Sequence, residues 1–300
     1  MSKAKLDKIG FVGLGNMGAP MAAHLAGRGF PLTVYDVRTE SARDFARLHG
    51  ARVALDAADV ARGADAVIFM LPNEAALRQV LFEQGLAEGL PAGGIAIDMG
   101  TTSPAATREI GNGLAALDLH YLDAPVMGGV VFARDASLDI MVGGNAAAIE
   151  RCRPLFEAMG RKLWNCGASG NAQVLKAMTN YINACALANT LEAMVIARKS
   201  GLDSSMVAEA IDTMCNGRQH PIVKKIIPHV LTREYGTGMT LQLIAKDVQI
   251  AVDSAHGVNA PVPLGEVTAR IWNDACDLLG GARDQTEIVR YWEQAAGIPL

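Results

Sequence analysis

The 300-residue sequence has few cysteines, no pronounced excess of charge and no histidine pattern typical of a metal site. Its five cysteines are widely spaced and contain no C-x-x-C pair, which argues against a disulfide framework and against zinc. They fit buried thiols in a reducing compartment, so we expect a cytoplasmic protein. None of the six histidines belongs to an H-x-x-H or H-E-x-x-H pattern, and we therefore expect no metal.

The charge pattern and hydropathy exclude two further classes. A formal net charge of -4 without a basic run gives no electrostatic basis for binding nucleic acid. No apolar run approaches the roughly 20 residues of a membrane span. Half of the residues are hydrophobic and 19% are charged, as in a globular protein with room for two domains. The segment 167–171 departs from the G-x-S-x-G nucleophile pattern of hydrolases. We expect a small-molecule ligand.

The most informative stretch is a glycine-rich turn after an apolar strand at 8–12. Gly13 permits the tight turn, Gly15 lets phosphates approach the backbone, and Gly18 allows close packing of helix on strand. A second apolar run ends at Asp36, close to the roughly 20-residue spacing at which an acidic residue accepts hydrogen bonds from ribose. Together these features predict a dinucleotide site at the start of the first helix.

The first half of the chain alternates between strand and helix patterns. The continuous apolar run at 66–70 predicts a strand buried on both faces of a parallel sheet. Further strands are predicted at 32–35 and 95–98, with helices between them. This alternation predicts a Rossmann-type, doubly wound α/β sheet. Ligands bind beyond the carboxyl ends of such strands. Three strand ends are therefore candidate ligand contacts, namely 70–72, 98–102 and 123–129.

The second half has no convincing strand and predicts an all-helical domain. Residues 171–200 contain neither Pro nor Gly and are apolar nearly all round, which predicts a long buried helix between the domains. Gln173, Lys176, Asn180 and Asn183 recur on one face of it. We expect a dinucleotide-binding domain at 1–166 and a helical substrate and oligomerisation domain at 167–300. The apolar helix also predicts self-association, as a dimer or a tetramer.

Lys176 is the strongest catalytic candidate. Burial lowers the pKa of a lysine, so that it can exchange a proton with a hydroxyl or carbonyl oxygen near neutral pH. Asn180, one turn later, is placed to hold the lysine or the reacting oxygen. The alternative is that Lys176 reaches the surface or pairs with a structural carboxylate. Lys246 and Asp247 form a charged pair within a second apolar helix pattern. A surface ion pair is the simpler explanation for these adjacent charges.

Four motifs in order resemble those of the β-hydroxyacid dehydrogenases, the family of 3-hydroxyisobutyrate dehydrogenase. They are the glycine turn 9–18, the segment 123–129, the helix start 167–180 and the pair 246–247. The resemblance implies hydride transfer with a nicotinamide cofactor, without a metal. It makes Lys176 the catalytic residue and Asn180 its partner. The cofactor contacts that we expect are Gly13, Leu14, Gly15, Asn16, Met17, Gly18, Asp36, Arg38, Met70, Leu71, Pro72, Thr101 and Lys246.

The resemblance places Met127, Gly128 and Gly129 at the substrate, with Lys176 and Asn180. Met127 stands where the family usually has Ser, and a thioether cannot replace the hydrogen bonds of a hydroxyl. Gly100 and Ala172 also depart from the family pattern, in which Ser and Gly are usual. We therefore expect the family's reaction, with a bulkier or less polar substrate as one possibility.

Three alternatives remain at the level of the sequence. Asp36 favours NAD because its charge repels a 2′-phosphate, whereas Arg38 two residues later can accommodate one, so NADP stays open. An imine reductase would share the fold, but such enzymes generally lack a lysine at the place of Lys176, which counts against this alternative. A dinucleotide-binding protein without turnover is the third alternative, and the intact Lys176 and Asn180 count against it. The direction of the reaction is not specified by these residues.

Overall fold

The computed structural model describes residues 6–217 and 220–299. The chain divides into two compact units, Met1–Tyr181 and Ile182–Leu300. The domain boundary expected after residue 166 stays a prediction.

The first unit contains a nine-stranded sheet with the order β3-β2-β1-β4-β5-β6-β8-β7, in which β9 also pairs with β8. From β3 to β6 all neighbours are parallel, while β8 runs antiparallel to β6 and β7. The expected doubly wound sheet is confirmed, with a mixed edge added. The strands are β1 Ile9–Val12, β2 Leu32–Tyr35, β3 Arg52–Val53, β4 Ala66–Phe69, β5 Ile95–Asp98, β6 His120–Asp123, β7 Val126–Met127, β8 Leu138–Gly144 and β9 Gly160–Gly167.

Side chains of the central strands alternate between two apolar cores. In β4, Ala66 and Ile68 join one core, whereas Val67 and Phe69 join the other. Every residue of β1, β4 and β5 is buried, as expected for strands covered by helices on both faces. This double burial explains why these strands are uninterrupted apolar runs in the sequence.

Helices cover both faces of the sheet. One of the helices expected between strands, α4 (Glu74–Arg78), continues as a π-helical turn, Gln79–Glu83. The first-unit helices are α1 Gly18–Gly27, α2 Thr39–His49, α3 Ala57–Ala61, α4 Glu74–Arg78, α5 Leu86–Gly89, α6 Pro104–Ala115, α7 Gly129–Arg134 and α8 Ala146–Met159.

The second unit is helical, as predicted. Helix α9, Asn171–Lys199, begins in the first unit and continues into the second. Residues of α11 and α12 contribute to a small core that includes Val252, Ala255 and Ala269. The remaining elements are α10 Ser204–Cys215, a π-helical segment Ile222–Val230, α11 Leu241–Gly257, α12 Pro263–Leu279, a 3₁₀ turn Gln285–Ile288 and α13 Val289–Ala296.

The expectation that 171–200 is a buried helix is half wrong. The segment is one continuous helix, but only Ala172 and Gln173 in it are buried. Apolar side chains along its length are exposed, with Leu187 at 63% and Leu191 at 53%. Its apolar composition therefore does not mark burial within this single chain. No helix in the described parts of the chain is long and apolar enough to cross a membrane.

Candidate active site

The glycine turn connects β1 to α1 with close backbone contacts. Gly13 has a φ of +94°, and a side chain there would collide with the carbonyl oxygen of Met70. A Cβ on Gly18 would collide with the carbonyl oxygen of Gly13. Gly15 differs, because no atom lies within 4 Å of the place where its Cβ would be. Two glycines thus let the backbone segments pack, and the third leaves open space.

A cavity of about 370 Å³ opens at the carboxyl ends of β1, β2 and β4. Ten of the predicted cofactor residues line it, together with others that the sequence did not single out. Leu14 is buried and is not part of the lining, and Thr101 is exposed and also lies outside it. The lining comprises Val12, Gly13, Gly15, Asn16, Met17, Gly18, Tyr35, Asp36, Val37, Arg38, Met70, Leu71, Pro72 and Val80.

Asp36 connects the end of β2 to the glycine turn. One carboxylate oxygen accepts the backbone N–H of Leu14 at 2.7 Å, and the other accepts the N–H of Arg38 at 2.8 Å. The guanidinium Nε of Arg38 lies 3.5 Å from Asp36, while most of the Arg38 side chain is exposed. The carboxylate is 7% exposed, so it fixes the turn and also contributes negative charge to the cavity wall.

Lys176 lies in the second turn of α9, and its ammonium is directed at strand β7. Its Nζ donates to the carbonyl oxygen of Val126 at 2.7 Å and lies 2.9 Å from the Met127 Sδ. Thr179 Oγ1 is 3.7 Å from the same sulfur. Both contacts of Nζ are neutral groups, and burial lowers the pKa of Lys176 below its usual value of 10.5. The ammonium can therefore lose its proton more readily than a surface lysine.

The other predicted site residues occupy several places. Gly128 and Gly129 are exposed at the start of α7, with φ values of +120° and +67°. Asn180 is exposed one turn after Lys176 on α9. Lys246 lies on α11 in the second unit, with its Nζ 3.1 Å from Asp247. Within the described chain, no group of three or more His, Cys, Asp or Glu residues is arranged to hold a metal ion.

The strand ends 98–102 and 123–129, which the sequence marked as candidate ligand contacts, instead join Gln173 and Tyr121 in a buried polar network that the sequence did not predict. Its members are Asp98, Thr102, Tyr121, Asp123 and Gln173, all buried. Burial raises the pKa of Asp98 and of Asp123, while amide and hydroxyl donors oppose this rise. Two acidic residues at adjacent strand ends were the available signal, because parallel strands bring their carboxyl ends to one edge.

Comparison with known proteins places these features in a family. Residues 8–170 match the family model described as the NAD-binding domain of 6-phosphogluconate dehydrogenase, and residues 170–292 match a second model described as the NAD-binding region of NADP-dependent 3-hydroxyisobutyrate dehydrogenase. An NAD-dependent L-serine dehydrogenase of Pseudomonas aeruginosa is 36% identical over 89% of this chain and 91% of its own. The chain belongs to the β-hydroxyacid dehydrogenases, the 3-hydroxyisobutyrate dehydrogenase family. It is an NAD(P)-dependent dehydrogenase that acts on hydroxyl groups.

Two solved structures show how far this likeness extends. The 3-hydroxyisobutyrate dehydrogenase of Mycobacterium tuberculosis, solved with L-serine, has 30% identity and a TM-score of 0.67, covering 96% of this chain and 99% of its own. An imine reductase variant from Myxococcus stipitatus, in complex with NAD⁺, has a TM-score of 0.84 at 20% identity, covering 95% of this chain and 99% of its own. The second likeness concerns the fold alone. The family resemblance inferred from the four sequence motifs is confirmed.

Proposed function

We propose that this β-hydroxyacid dehydrogenase oxidises a short 3-hydroxy acid, or reduces the matching semialdehyde, with Lys176 as the general acid or base. The observation that carries the proposal is the half-buried ammonium of Lys176 at strand β7, where a carbonyl oxygen and a thioether contact it. Neither neighbour carries a charge that would hold the proton on the amine. A depressed pKa suits a group that must both take and give a proton near neutral pH.

The proton step follows from this geometry. In oxidation, the neutral amine of Lys176 accepts the hydroxyl proton as the oxygen becomes a carbonyl oxygen. In reduction, the ammonium returns a proton to that oxygen. The bound nicotinamide supplies the acceptor or donor of the hydride. Because a lysine performs the proton transfer, the proposed reaction requires no metal. Asn180, one turn later on α9, is proposed to hydrogen-bond the reacting oxygen or the lysine.

The cavity at the glycine turn fits a dinucleotide. The open space at Gly15 leaves room for phosphates. The side chain of Met17, the N-cap residue of α1, makes no capping hydrogen bond to the first turn of the helix. Anions bind well at such helix ends. We propose that the ten lining residues predicted from sequence contact the cofactor, and that the Leu14 N–H fixes Asp36 beside it. Thr101 and Lys246 remain proposed contacts of the nicotinamide end.

We propose NAD as the preferred cofactor. The Asp36 carboxylate faces the cavity in which the adenosine ribose would lie, and its charge opposes a 2′-phosphate. Arg38 provides a partial counter-charge, but its side chain is 66% exposed and already lies near Asp36. The repulsion is thus the stronger effect, although it leaves some capacity for NADP.

For the substrate, we propose that Gly128 and Gly129 bind the carboxylate and that Met127 shapes the pocket beside Lys176. The sulfur of Met127 is a weak acceptor that adds bulk near the amine. The missing hydroxyl favours a substrate that is less polar than 3-hydroxyisobutyrate beside Met127, whereas the bulk of the thioether leaves less room for the bulkier substrate that the sequence also allowed.

The test is the substitution Lys176→Met, which keeps an unbranched side chain only one atom shorter but removes the amine. We expect kcat to fall about 100- to 10,000-fold, the usual contribution of general acid–base catalysis, with NADH affinity nearly unchanged. The assay is nicotinamide absorbance across a panel of hydroxy acids and semialdehydes. A variant that keeps most of its kcat contradicts the role of Lys176. Turnover of cyclic imines alone would favour an imine reductase, and NADH binding without any turnover would favour a non-catalytic binding protein.

We also propose that the chain self-associates through the exposed apolar residues of α9, as a homodimer or homotetramer. Leu187 and Leu191 are examples, each more than half exposed. Leu187→Glu should shift the sedimentation coefficient toward that of a monomer, whereas Leu48→Glu, at a leucine of α2 that is 72% exposed, should not. Equal behaviour of both variants contradicts the assignment. All five cysteines are free, but the expectation that they are buried is wrong for Cys185 and Cys215, which are exposed. Their free state supports the cytoplasmic location that we propose.

A further inference from the structure

The first turn of α9 is capped by a residue from a different part of the chain. Asp123, at the end of β6, is fully buried and accepts the backbone N–H of Gly170 at 2.9 Å and that of Gln173 at 3.2 Å. These amides precede or begin the helix, where N–H groups have no partner within the helix. Strand β8 approaches so closely that a Cβ on Gly143 would lie 2.9 Å from the carboxylate. The carboxylate thus holds the start of α9 against the sheet.

Gln173 ties the same turn to a second segment. Its side-chain Nε2 donates to the carbonyl oxygen of Gly100 at 3.1 Å, and its Oε1 accepts the N–H of Thr102 at 3.2 Å. Thr101, the proposed nicotinamide contact, lies between these two anchor points. Gln173 is 1% exposed, so water does not compete for either bond. One amide therefore connects the helix of Lys176 with the loop of Thr101.

That loop is also held from the sheet side. Asp98 accepts the N–H of Gly100 at 2.9 Å and the hydroxyl of Thr102 at 2.7 Å. Tyr121 donates to the same carboxylate at 3.2 Å. Because Gln173 and Asp98 both hydrogen-bond to Gly100 and Thr102, the backbone around Thr101 has little freedom to move. Fully satisfied buried networks of this kind rigidify the segments that they connect.

The position of Lys176 also depends on the anchored first turn of α9. Lys176 follows Gln173 by one helical turn, so the anchored turn determines where its Cα lies. Its Nζ then returns to Val126 and Met127, which follow Asp123 on the chain. The segment 123–127 therefore contacts both the first turn of α9 and the Nζ of Lys176. A displacement of the turn by about 1 Å would misalign the amine, and such errors can cost on the order of 100-fold in rate.

We propose that Asp123 and Gln173 are positioning residues of the dehydrogenase: they keep the amine of Lys176 and the loop of Thr101 in one fixed relation. This inference rests on the proposed role of Lys176. A purely structural cap would affect the stability of the fold but not the turnover of the folded enzyme. The two roles are therefore separable by experiment.

The experiment is a double-mutant cycle with Gln173→Met and Lys176→Met, measured by kcat, KM and thermal unfolding. Gln173→Met removes both bonds to the loop at similar volume. In the parent enzyme, we expect it to lower kcat about 10- to 100-fold, with a smaller change in the KM for substrate. In the Lys176→Met background it should change the residual rate by less than about twofold, because the residue acts through the lysine.

Asp59→Asn is the matched control. Asp59 is a buried carboxylate of the same unit that accepts the N–H of Leu55 at 2.9 Å and pairs with Arg52, away from α9. It should lower the unfolding temperature without lowering kcat. If Gln173→Met does not yield folded protein, Asp123→Asn, which keeps one acceptor oxygen, takes its place in the same cycle with the same expected result.

The outcomes separate the two proposals. A folded Gln173→Met enzyme with the kcat of the parent overturns the positioning role, provided that Lys176→Met is inactive. Equal rate losses in both backgrounds also overturn it, because the effect would then not pass through the lysine. Full activity of Lys176→Met overturns the proposed function itself.

Discussion

Replacement of Asp36 by Asn tests how the cavity distinguishes NAD from NADP. The substitution removes a negative charge while keeping the size of the side chain. In the parent protein the two carboxylate oxygens accept the N–H groups of Leu14 and Arg38. An asparagine can accept only one of these bonds, because its NH₂ group is a donor. The variant therefore changes both the charge of the cavity wall and the support of the glycine turn.

The magnitude of the charge effect follows from Coulomb's law. Two unit charges about 4 Å apart repel by roughly 1 kcal/mol in bulk water and about 4 kcal/mol at an effective dielectric constant near 20. These limits correspond to a change of about 5- to 1,000-fold in relative affinity. The cavity is open on one side and Arg38 is exposed, so a value toward the lower limit is expected. We predict a shift of about 10- to 100-fold toward NADP in the ratio of kcat/KM values.

The loss of one buried hydrogen bond should also destabilise the variant by about 1–3 kcal/mol, which thermal unfolding can follow independently. The assay compares kcat/KM for NAD and NADP at one substrate concentration series. Asp44→Asn is the control, because Asp44 is an exposed carboxylate that pairs with Arg47 on α2. An unchanged cofactor ratio in Asp36→Asn, or a parent enzyme that already prefers NADP, would refute the reasoning.

Three further predictions concern Lys176, Met127 and the glycine turn. Burial lowers the pKa of Lys176 below 10.5. The kcat for oxidation should therefore rise with pH to an inflection below 10.5, and the kcat for reduction should fall through the same inflection. The same pH profile in Lys176→Met would contradict this assignment. Met127→Ser should raise activity on 3-hydroxyisobutyrate, with Met127→Leu as the control for bulk, and an unchanged or lower activity would exclude Met127 as the residue that sets specificity. Gly18→Ala should abolish NADH binding measured by fluorescence titration, because its Cβ collides with the Gly13 carbonyl oxygen, and cost about 1–3 kcal/mol of stability. Gly27→Ala on the same helix, where no atom lies within 4 Å of the added Cβ, should bind NADH like the parent, and equal binding by both variants would refute the steric argument.

The lowered pKa of Lys176 also makes the stability of the fold depend on pH. The unfolded chain binds this proton up to a higher pH than the folded chain does, so stability rises with pH between the two pKa values. The activity and the stability thus depend on the same burial of one amine.

Local pattern was sufficient for much of the fold. Strands β2 and β5 occupy the residues predicted for them. The residues of β5 are all buried, as in a strand covered on both faces, whereas those of β2 alternate between buried and partly buried. The glycine turn could also be predicted from the sequence, since the backbone at positions 13 and 18 leaves no room for a Cβ. Ten predicted cofactor residues line one cavity because they lie at the carboxyl ends of β1, β2 and β4, where ligands bind in parallel sheets.

The sequence alone determined the doubly wound sheet, the helical second half, the family and the choice of Lys176 as a candidate. Only the tertiary structure decided what surrounds that lysine. The contacts of Nζ with Val126 and Met127, and the capping of α9 by Asp123, join residues some 50 positions apart. No local pattern encodes such pairings, because they depend on which strand ends meet at one edge of the sheet. The exposure of α9 is the converse case: its apolar composition suggested burial, but only Ala172 and Gln173 in it are buried.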